Sequence, residues 1–368
     1  MDNWYHIKNN DDIDSPSLVV YPDRIKHNID NMIRIAGSAD RLRPHIKTYK
    51  MTEIIDMQLK AGINKFKCAT ISEAELLGIS GAPDALLAYQ PVGPKISRLI
   101  ELVKAYPKTS YSALIDNIDS AEKINAAFLK ADLRLNLLID LDTGNHRTGI
   151  VPESGLNLYK ECRDLESISI IGLHAYDGHL RQEQFEERKN LCDQAFEAVE
   201  KLHKAIYEFD DSDLQIIAGG SPTFPCHALR DASVQCSPGT TLLWDWTYST
   251  LMPESGFQHA SIVISRLVSK VGTNRITLDL GHKSIGSEMP FPRVQFLNLS
   301  EGKQIGHSEE HLVIEVEDNS KYAIGQVFYG VPMHVCPTVA LHQVGNVVKN
   351  GVASGKWGVI ARDRRINI

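Results

Sequence analysis

Arg43-Pro44-His45-Ile46-Lys47-Thr48 places a lysine where its amine can be made nucleophilic. Pro44 biases Arg43 toward extended backbone, and the residues after it have few helix-favouring features, so Lys47 is expected on or just past a short strand. An amine held there loses part of its hydration. That favours the neutral, attacking form that a Schiff base with an aldehyde cofactor requires. Taken alone, Lys47 and Lys50 read as solvated surface charges, and it is the residues downstream that change the reading.

Four further groups follow. Asp140-Leu141-Asp142-Thr143-Gly144-Asn145-His146-Arg147-Thr148-Gly149 is a polar loop after an apolar strand, and its Arg147 can fork onto a carboxylate or phenolate oxygen. His174-Ala175-Tyr176-Asp177-Gly178-His179 again follows a strand. Either histidine can move a proton near neutral pH, His179 is taken as the candidate catalytic residue, and Tyr176 joins the set expected to bind a cofactor. Gly219-Gly220-Ser221 and Gly239-Thr240 combine close backbone approach with hydroxyls, which are the ingredients of a phosphate cradle. In His334-Val335-Cys336 the two donors are two residues apart, so on an extended chain they point the same way and can share one ion, the thiolate favouring zinc. Two protein ligands leave positions open for water or substrate, as a catalytic metal needs.

The elements that must carry these groups fall into two textures. From Leu18 onward, short apolar runs alternate with stretches of helical period, beginning with Leu18-Val19-Val20-Tyr21 and ending near Leu214-Gln215-Ile216-Ile217-Ala218. Seven or eight such units predict a parallel sheet closed into a (β/α)8 barrel, with chemistry at the C-terminal strand ends. Beyond about residue 250 the pattern becomes strand and turn, as in Ala260 to Val268, which predicts a mainly antiparallel β domain. The expected division is a barrel over residues 15–248 and a β domain over residues 249–368 that also takes in residues 1–14.

Composition excludes several classes. The 39 basic and 46 acidic residues give a net charge of -7 with no long basic run, so a nucleic-acid partner is not expected. The polar start Met1-Asp2-Asn3-Trp4-Tyr5-His6 lacks the apolar stretch of an export signal, and nowhere do about eighteen apolar residues run together, so a cytoplasmic protein without membrane association is expected. Six cysteines without a CxxC pair read as reduced thiols.

Taken together, these motifs resemble the pyridoxal-phosphate enzymes with an alanine-racemase-type barrel, in the branch of D-threonine aldolases and D-serine dehydratases, over nearly the whole chain. The resemblance implies that Lys47 carries the cofactor, that Arg147 contacts its phenolic oxygen, and that Gly219, Gly220, Ser221, Gly239 and Thr240 hold its phosphate. It also implies a divalent ion on His334 and Cys336, with zinc favoured over manganese or magnesium, and a homodimer. Tyr49 stands where the family's lysine motif usually has histidine. Cys336 stands where characterised aldolases tend to have aspartate and dehydratases have cysteine. The expected function is a lyase acting on small D-3-hydroxy amino acids, either an aldolase giving glycine and an aldehyde or a dehydratase giving a keto acid and ammonia. A racemase, a cofactor-binding protein without turnover and a sugar- or phosphate-binding barrel are the rival readings.

Overall fold

The computed structural model describes residues 3–368; Met1 and Asp2, at the head of the polar N-terminal stretch, lie outside the described residues. Ser17–Val20 forms the first strand, β1, and it does not join the parallel series that follows. That series is β2 (Lys65–Cys68), β3 (Asp84–Leu87), β4 (Ser110–Ile115), β5 (Leu135–Leu141), β6 (Ile168–Ala175), β7 (Gln215–Ala218) and β8 (Val234–Cys236), hydrogen-bonded in that order and parallel throughout. Helices alternate with the strands, including Ile71–Ile79, Pro94–Ala105, Ile118–Lys130, Pro152–Cys162 and Phe185–Asp210. Their starts are written locally. Thr70 accepts from the Glu73 amide at 3.1 Å while the Glu73 carboxylate reaches back to the Ala69 amide at 2.6 Å, and Asn117 accepts from the Ser120 amide at 2.9 Å.

The ring closes through the lysine motif. Leu42 bridges Cys236 and His45 bridges Lys67, both in parallel register. The Arg43 amide donates to the Cys236 carbonyl at 2.9 Å, and the Lys67 amide donates to the Pro44 carbonyl at 2.9 Å. Pro44 offers β2 an acceptor but no donor, so this eighth crossing is a pair of single bridges and not a full strand. Arg43 is buried below it, forking onto both carboxylate oxygens of Asp84 and donating from Nε to Gln235 at 2.9 Å.

The remaining strands are β9 (Ser261–Val271), β10 (Arg275–Leu278), β11 (Val294–Phe296), β12 (Lys303–His307), β13 (Leu312–Glu315), β14 (Val327–Pro332), β15 (Val344–Lys349) and β16 (Val352–Gly358). They form a mainly antiparallel sheet ordered β12-β13-β10-β9-β1-β15-β16, with β14 pairing β9 and β11 pairing β14. β9 separates two cores by period-two alternation: Val263 packs with Leu278, Ile314 and Phe328, while Ile262 and Ile264 pack with Ile7, Val19 and Val331.

β1 therefore corrects the expectation that the barrel begins at Leu18. It pairs antiparallel with β9 and parallel with β15, Val19 lying opposite Ile262 and Asn346. Leu18, Val19 and Val20 are fully buried, and an apolar run covered on both faces fits a central strand of either sheet. By compactness the chain divides into one unit of Met1–Asn31, Thr48–Ile54 and Thr240–Arg362, and another of Met32–Lys47, Ile55–Gly239 and Asp363–Ile368. Against the expected boundaries at 15 and 248, residues 15–31 with β1, residues 48–54 and residues 240–248 go to the β unit, and residues 363–368 go to the barrel unit. Among the described residues no helix is long and apolar enough to cross a membrane.

Candidate active site

A cleft of about 490 Å3 opens in the barrel unit, within the usual size of a small-molecule site. Lys47, Arg147, Tyr176 and His174 line it, as do Lys67 and Asp140. Lys47 sits in a one-turn 3-10 helix, Ile46–Thr48, directly after the closing bridge at His45, which agrees with a position just past a short strand. Arg147 comes from the loop after β5 and Tyr176 from the residue after β6, so the cleft lies at the C-terminal strand ends.

Three cations gather on the Tyr176 ring. Lys47 Nζ lies 5.9 Å from its centroid, Lys67 Nζ 5.7 Å and Arg147 Cζ 5.0 Å. Such a concentration of positive charge suits a ligand carrying anionic groups.

Lys67 is fully buried, and its Nζ donates to His174 Nε2 at 3.1 Å. His174 Nδ1 in turn stands 2.7 Å from Asp140 Oδ1. Desolvation, together with the charge of Lys47, pushes the Lys67 ammonium down to about 7, against the pull of Asp140 and Asp177. Burial and the charge of Lys67 lower His174 more than Asp140 raises it. Asp140 is pushed up by burial, but the hydrogen bond and charge of His174, a hydrogen bond from Thr148 and the charge of Lys67 hold its carboxyl below the ordinary range.

The turn after β7 meets both the ring and the turn after β8. A Cβ on Gly220 would lie 2.9 Å from Tyr176 Cε2, and Gly219 adopts φ +79. Ser221 Oγ accepts from the Gly239 amide at 3.1 Å, joining the two predicted phosphate turns through one hydroxyl. Thr223 Oγ1 accepts from the Gly220 amide at 3.2 Å and donates to Asp177 Oδ1 at 2.5 Å. A phosphorylated aldehyde cofactor fits what is present: an amine, a flat ring, a guanidinium, and a glycine turn with no room for a side chain. Thr240, the remaining member of the predicted set, opens a 3-10 turn in the β unit with Oγ1 3.7 Å from Cys336 Sγ.

Behind that turn, Asp177, Cys192 and His227 bring three ligand atoms within 4.8 Å of one another, all buried, a spacing that makes a possible metal site. In the structure they form a hydrogen-bonded cluster. His227 Nε2 donates to Asp177 Oδ2 at 2.7 Å, Arg230 Nε donates to His227 Nδ1 at 3.1 Å, and Cys192 Sγ lies 3.4 Å from His227 Nε2. The bond with Cys226, with burial, pushes the Cys192 thiol up, away from the thiolate a metal requires.

His334 and Cys336 are not on extended chain as the spacing suggested. His334 is the N-cap of the helix Val335–Leu341 and Cys336 lies in its first turn. The two side chains still reach each other, and Thr48 Oγ1 lies 3.2 Å from Cys336 Sγ. His334 Nδ1 stands 2.5 Å from Glu288 Oε1, the arrangement in which a carboxylate orients a metal-binding imidazole. Burial lowers His334, but Cys336 and Glu288 outweigh it and push it up to about 9. Negative groups that hold a proton this firmly also favour a divalent cation.

His179 is exposed, is absent from the cleft lining, and lies close to Gly144: a Cβ on that glycine would meet its Nε2 at 3.2 Å. His174, its neighbour in the motif, is the histidine that lines the cleft. Sequence reasoning passed over Lys67 and Asp140. Asp140 had a signal, a carboxylate directly after the apolar run Leu137-Leu138-Ile139, where a buried charge needs a partner; Lys67, between Phe66 and Cys68 in a segment that starts with Lys65, had none.

Comparison with known proteins bears on the whole chain. Residues 20–237 match the model of the alanine racemase N-terminal domain, and residues 260–348 match that of a serine dehydratase domain. The sequence is 28% identical to D-threonine aldolase of Arthrobacter sp over 95% of this chain and 93% of that protein. It is 26% identical to 3-hydroxy-D-aspartate aldolase of Paracoccus denitrificans (strain Pd 1222), over 96% and 93%. The crystal structure of D-threonine aldolase from Filomicrobium marinum aligns with a TM-score of 0.88 over 98% of both chains at 24% identity, a likeness of fold.

Proposed function

The chain belongs to the alanine racemase N-terminal domain family, and from that premise we propose that it is a pyridoxal-phosphate-dependent lyase that cleaves D-3-hydroxy amino acids to glycine and an aldehyde. The observation that carries the reading is full-length similarity to a D-threonine aldolase, in a chain whose Lys47 opens on a cleft beside Tyr176 and Arg147. Lys47 would hold the cofactor covalently, Arg147 would face its phenolic oxygen, and Gly219, Gly220, Ser221, Gly239 and Thr240 would receive its phosphate. When bound, the pyridine ring supplies an electron sink for the pair released at Cα.

The protein's own groups account for the rest. Arg147, with the lysines around Tyr176, provides the positive field that draws in and orients a substrate carboxylate. The hydroxyl bridge from Ser221 to Gly239 and the Thr223 bond to Gly220 keep the turns rigid while the ligand binds. A divalent ion on His334 and Cys336 would polarise the 3-hydroxyl oxygen as a Lewis acid. The active form would be a homodimer.

Elimination to a keto acid and ammonia is the second reading, favoured by the serine dehydratase match over residues 260–348 and by the thiol at Cys336. Product analysis with D-threonine separates the two. Acetaldehyde and glycine are expected, 2-ketobutyrate and ammonia would assign the dehydratase reaction, and no turnover of any D-3-hydroxy amino acid would overturn both.

A further inference from the structure

We propose that Lys67, backed by His174 and Asp140, is the proton carrier of this site: it takes the proton of the substrate's 3-hydroxyl and returns it to Cα. The inference rests on the lyase reading above. Its basis is a chain of three buried groups, Lys67 Nζ to His174 Nε2 at 3.1 Å and His174 Nδ1 to Asp140 Oδ1 at 2.7 Å, all lining the cleft on which Lys47 opens. His179 does not line it.

Protonation follows from the geometry. An ionised Asp140 accepts, so His174 Nδ1 carries the hydrogen and Nε2 presents a lone pair to the lysine. One proton shared between the Lys67 amine and that lone pair gives the trio the same net charge whichever end holds it, because Asp140 offsets it in both arrangements. Lys67 faces His174, Asp140, Asp177, Lys47 and Arg43, and with its ammonium brought down to about 7 both of its forms are populated near neutrality. That is the condition for a group that must both accept and donate.

The reaction moves a single proton. Cleavage breaks the O–H and Cα–Cβ bonds; the O–H electron pair becomes the second C–O bond of the aldehyde, and the Cα–Cβ pair becomes the Cα–H bond of glycine. The proton leaving oxygen is the one Cα requires, so one shielded carrier suffices without an outside acid.

The test uses the full-length, cofactor-loaded protein beside Lys67→Met and Lys67→Arg. Three quantities are read: borohydride labelling at Lys47, the pH profile of kcat with D-threonine, and exchange of the glycine α-proton in D2O by NMR. All three proteins are expected to label at Lys47. Both variants should lose about 100-fold in kcat and in exchange, and also the limb near pH 7 on which the unaltered protein gains activity as pH rises. His174→Asn, which keeps the lysine and cuts the chain behind it, should displace that limb. Activity in Lys67→Arg within threefold of the unaltered protein would overturn the proposal, since arginine keeps the charge but does not release a proton. So would loss of the Lys47 label in both variants, which would make Lys67 a group needed to retain the cofactor. Absence of label in the unaltered protein is a different result, removing the lyase reading itself.

Discussion

Gly220 and Tyr176 are in contact so close that a Cβ on the glycine would fall 2.9 Å from Cε2 of the ring. Replacing that hydrogen by a methyl group must therefore move either the turn or the ring on which three cations converge. Overpacking of this kind costs roughly 1–3 kcal/mol. Gly220→Ala is expected to weaken pyridoxal-phosphate binding about tenfold or more, read from an absorbance titration. Unchanged affinity would place the turn away from the cofactor.

Lys47 and Lys50 are separable by the same cofactor. Lys47 lines the cleft and Lys50 does not. Lys47→Ala should be colourless after loading and desalting and should take no label on borohydride reduction, whereas Lys50→Ala should label like the unaltered protein. Peptide mapping locates the modified residue, and label at any other lysine would reassign the nucleophile.

Much of the barrel was legible because its strands are apolar runs separated by helical period, as Leu137, Leu138 and Ile139 before the Arg147 loop illustrate. β1 escaped for the same reason, since a run buried on both faces carries no mark of which sheet it enters. Lys67 was hidden by the opposite error. In Lys65-Phe66-Lys67-Cys68 the charge reads as solvated, and only the closed ring puts it opposite His174. The spacing of His334 and Cys336 reads as extended chain, but the backbone there is a helix start, with Pro337 in the first turn, where its missing N–H breaks no helical bond. Asp177, Cys192 and His227 come from three distant segments, and no local pattern announces them.

Asp177 should matter for stability before it matters for chemistry. Burial raises its carboxyl, but the charge and hydrogen bond of His227 and the bonds from Thr223 and Cys192 outweigh this and hold it below its ordinary value of 3.8. A carboxyl depressed on folding adds stability that is complete above its unfolded value and is lost as pH falls through the lower folded one. Asp177→Asn is expected to lose on the order of 2 kcal/mol at pH 7, with a lower Tm. The gap between the two proteins should stay constant down to about pH 5 and close in stronger acid. A gap that widens on acidification would show that the carboxylate is not the favoured form.

Two sets of donors compete for the proposed ion, and affinity measurements can tell them apart. Asp177, Cys192 and His227 satisfy the spacing for three ligands, but their atoms are already engaged with Thr223, Arg230 and one another. His334 and Cys336 offer only two, yet Glu288 holds the imidazole at Nδ1 and the Cys336 side chain reaches the same histidine. Zinc affinity, followed by competition with a chromophoric chelator, should fall more than tenfold in Cys336→Ala. It should fall about 10- to 100-fold in Glu288→Gln, because that carboxylate orients the imidazole. Cys192→Ala should leave it unchanged. Removal of the ion by chelator should suppress D-threonine turnover, and added zinc or manganese should restore it. If Cys192→Ala abolishes zinc binding while Cys336→Ala does not, the ion belongs behind the glycine turn, and its part becomes the support of the phosphate site and not the polarisation of substrate.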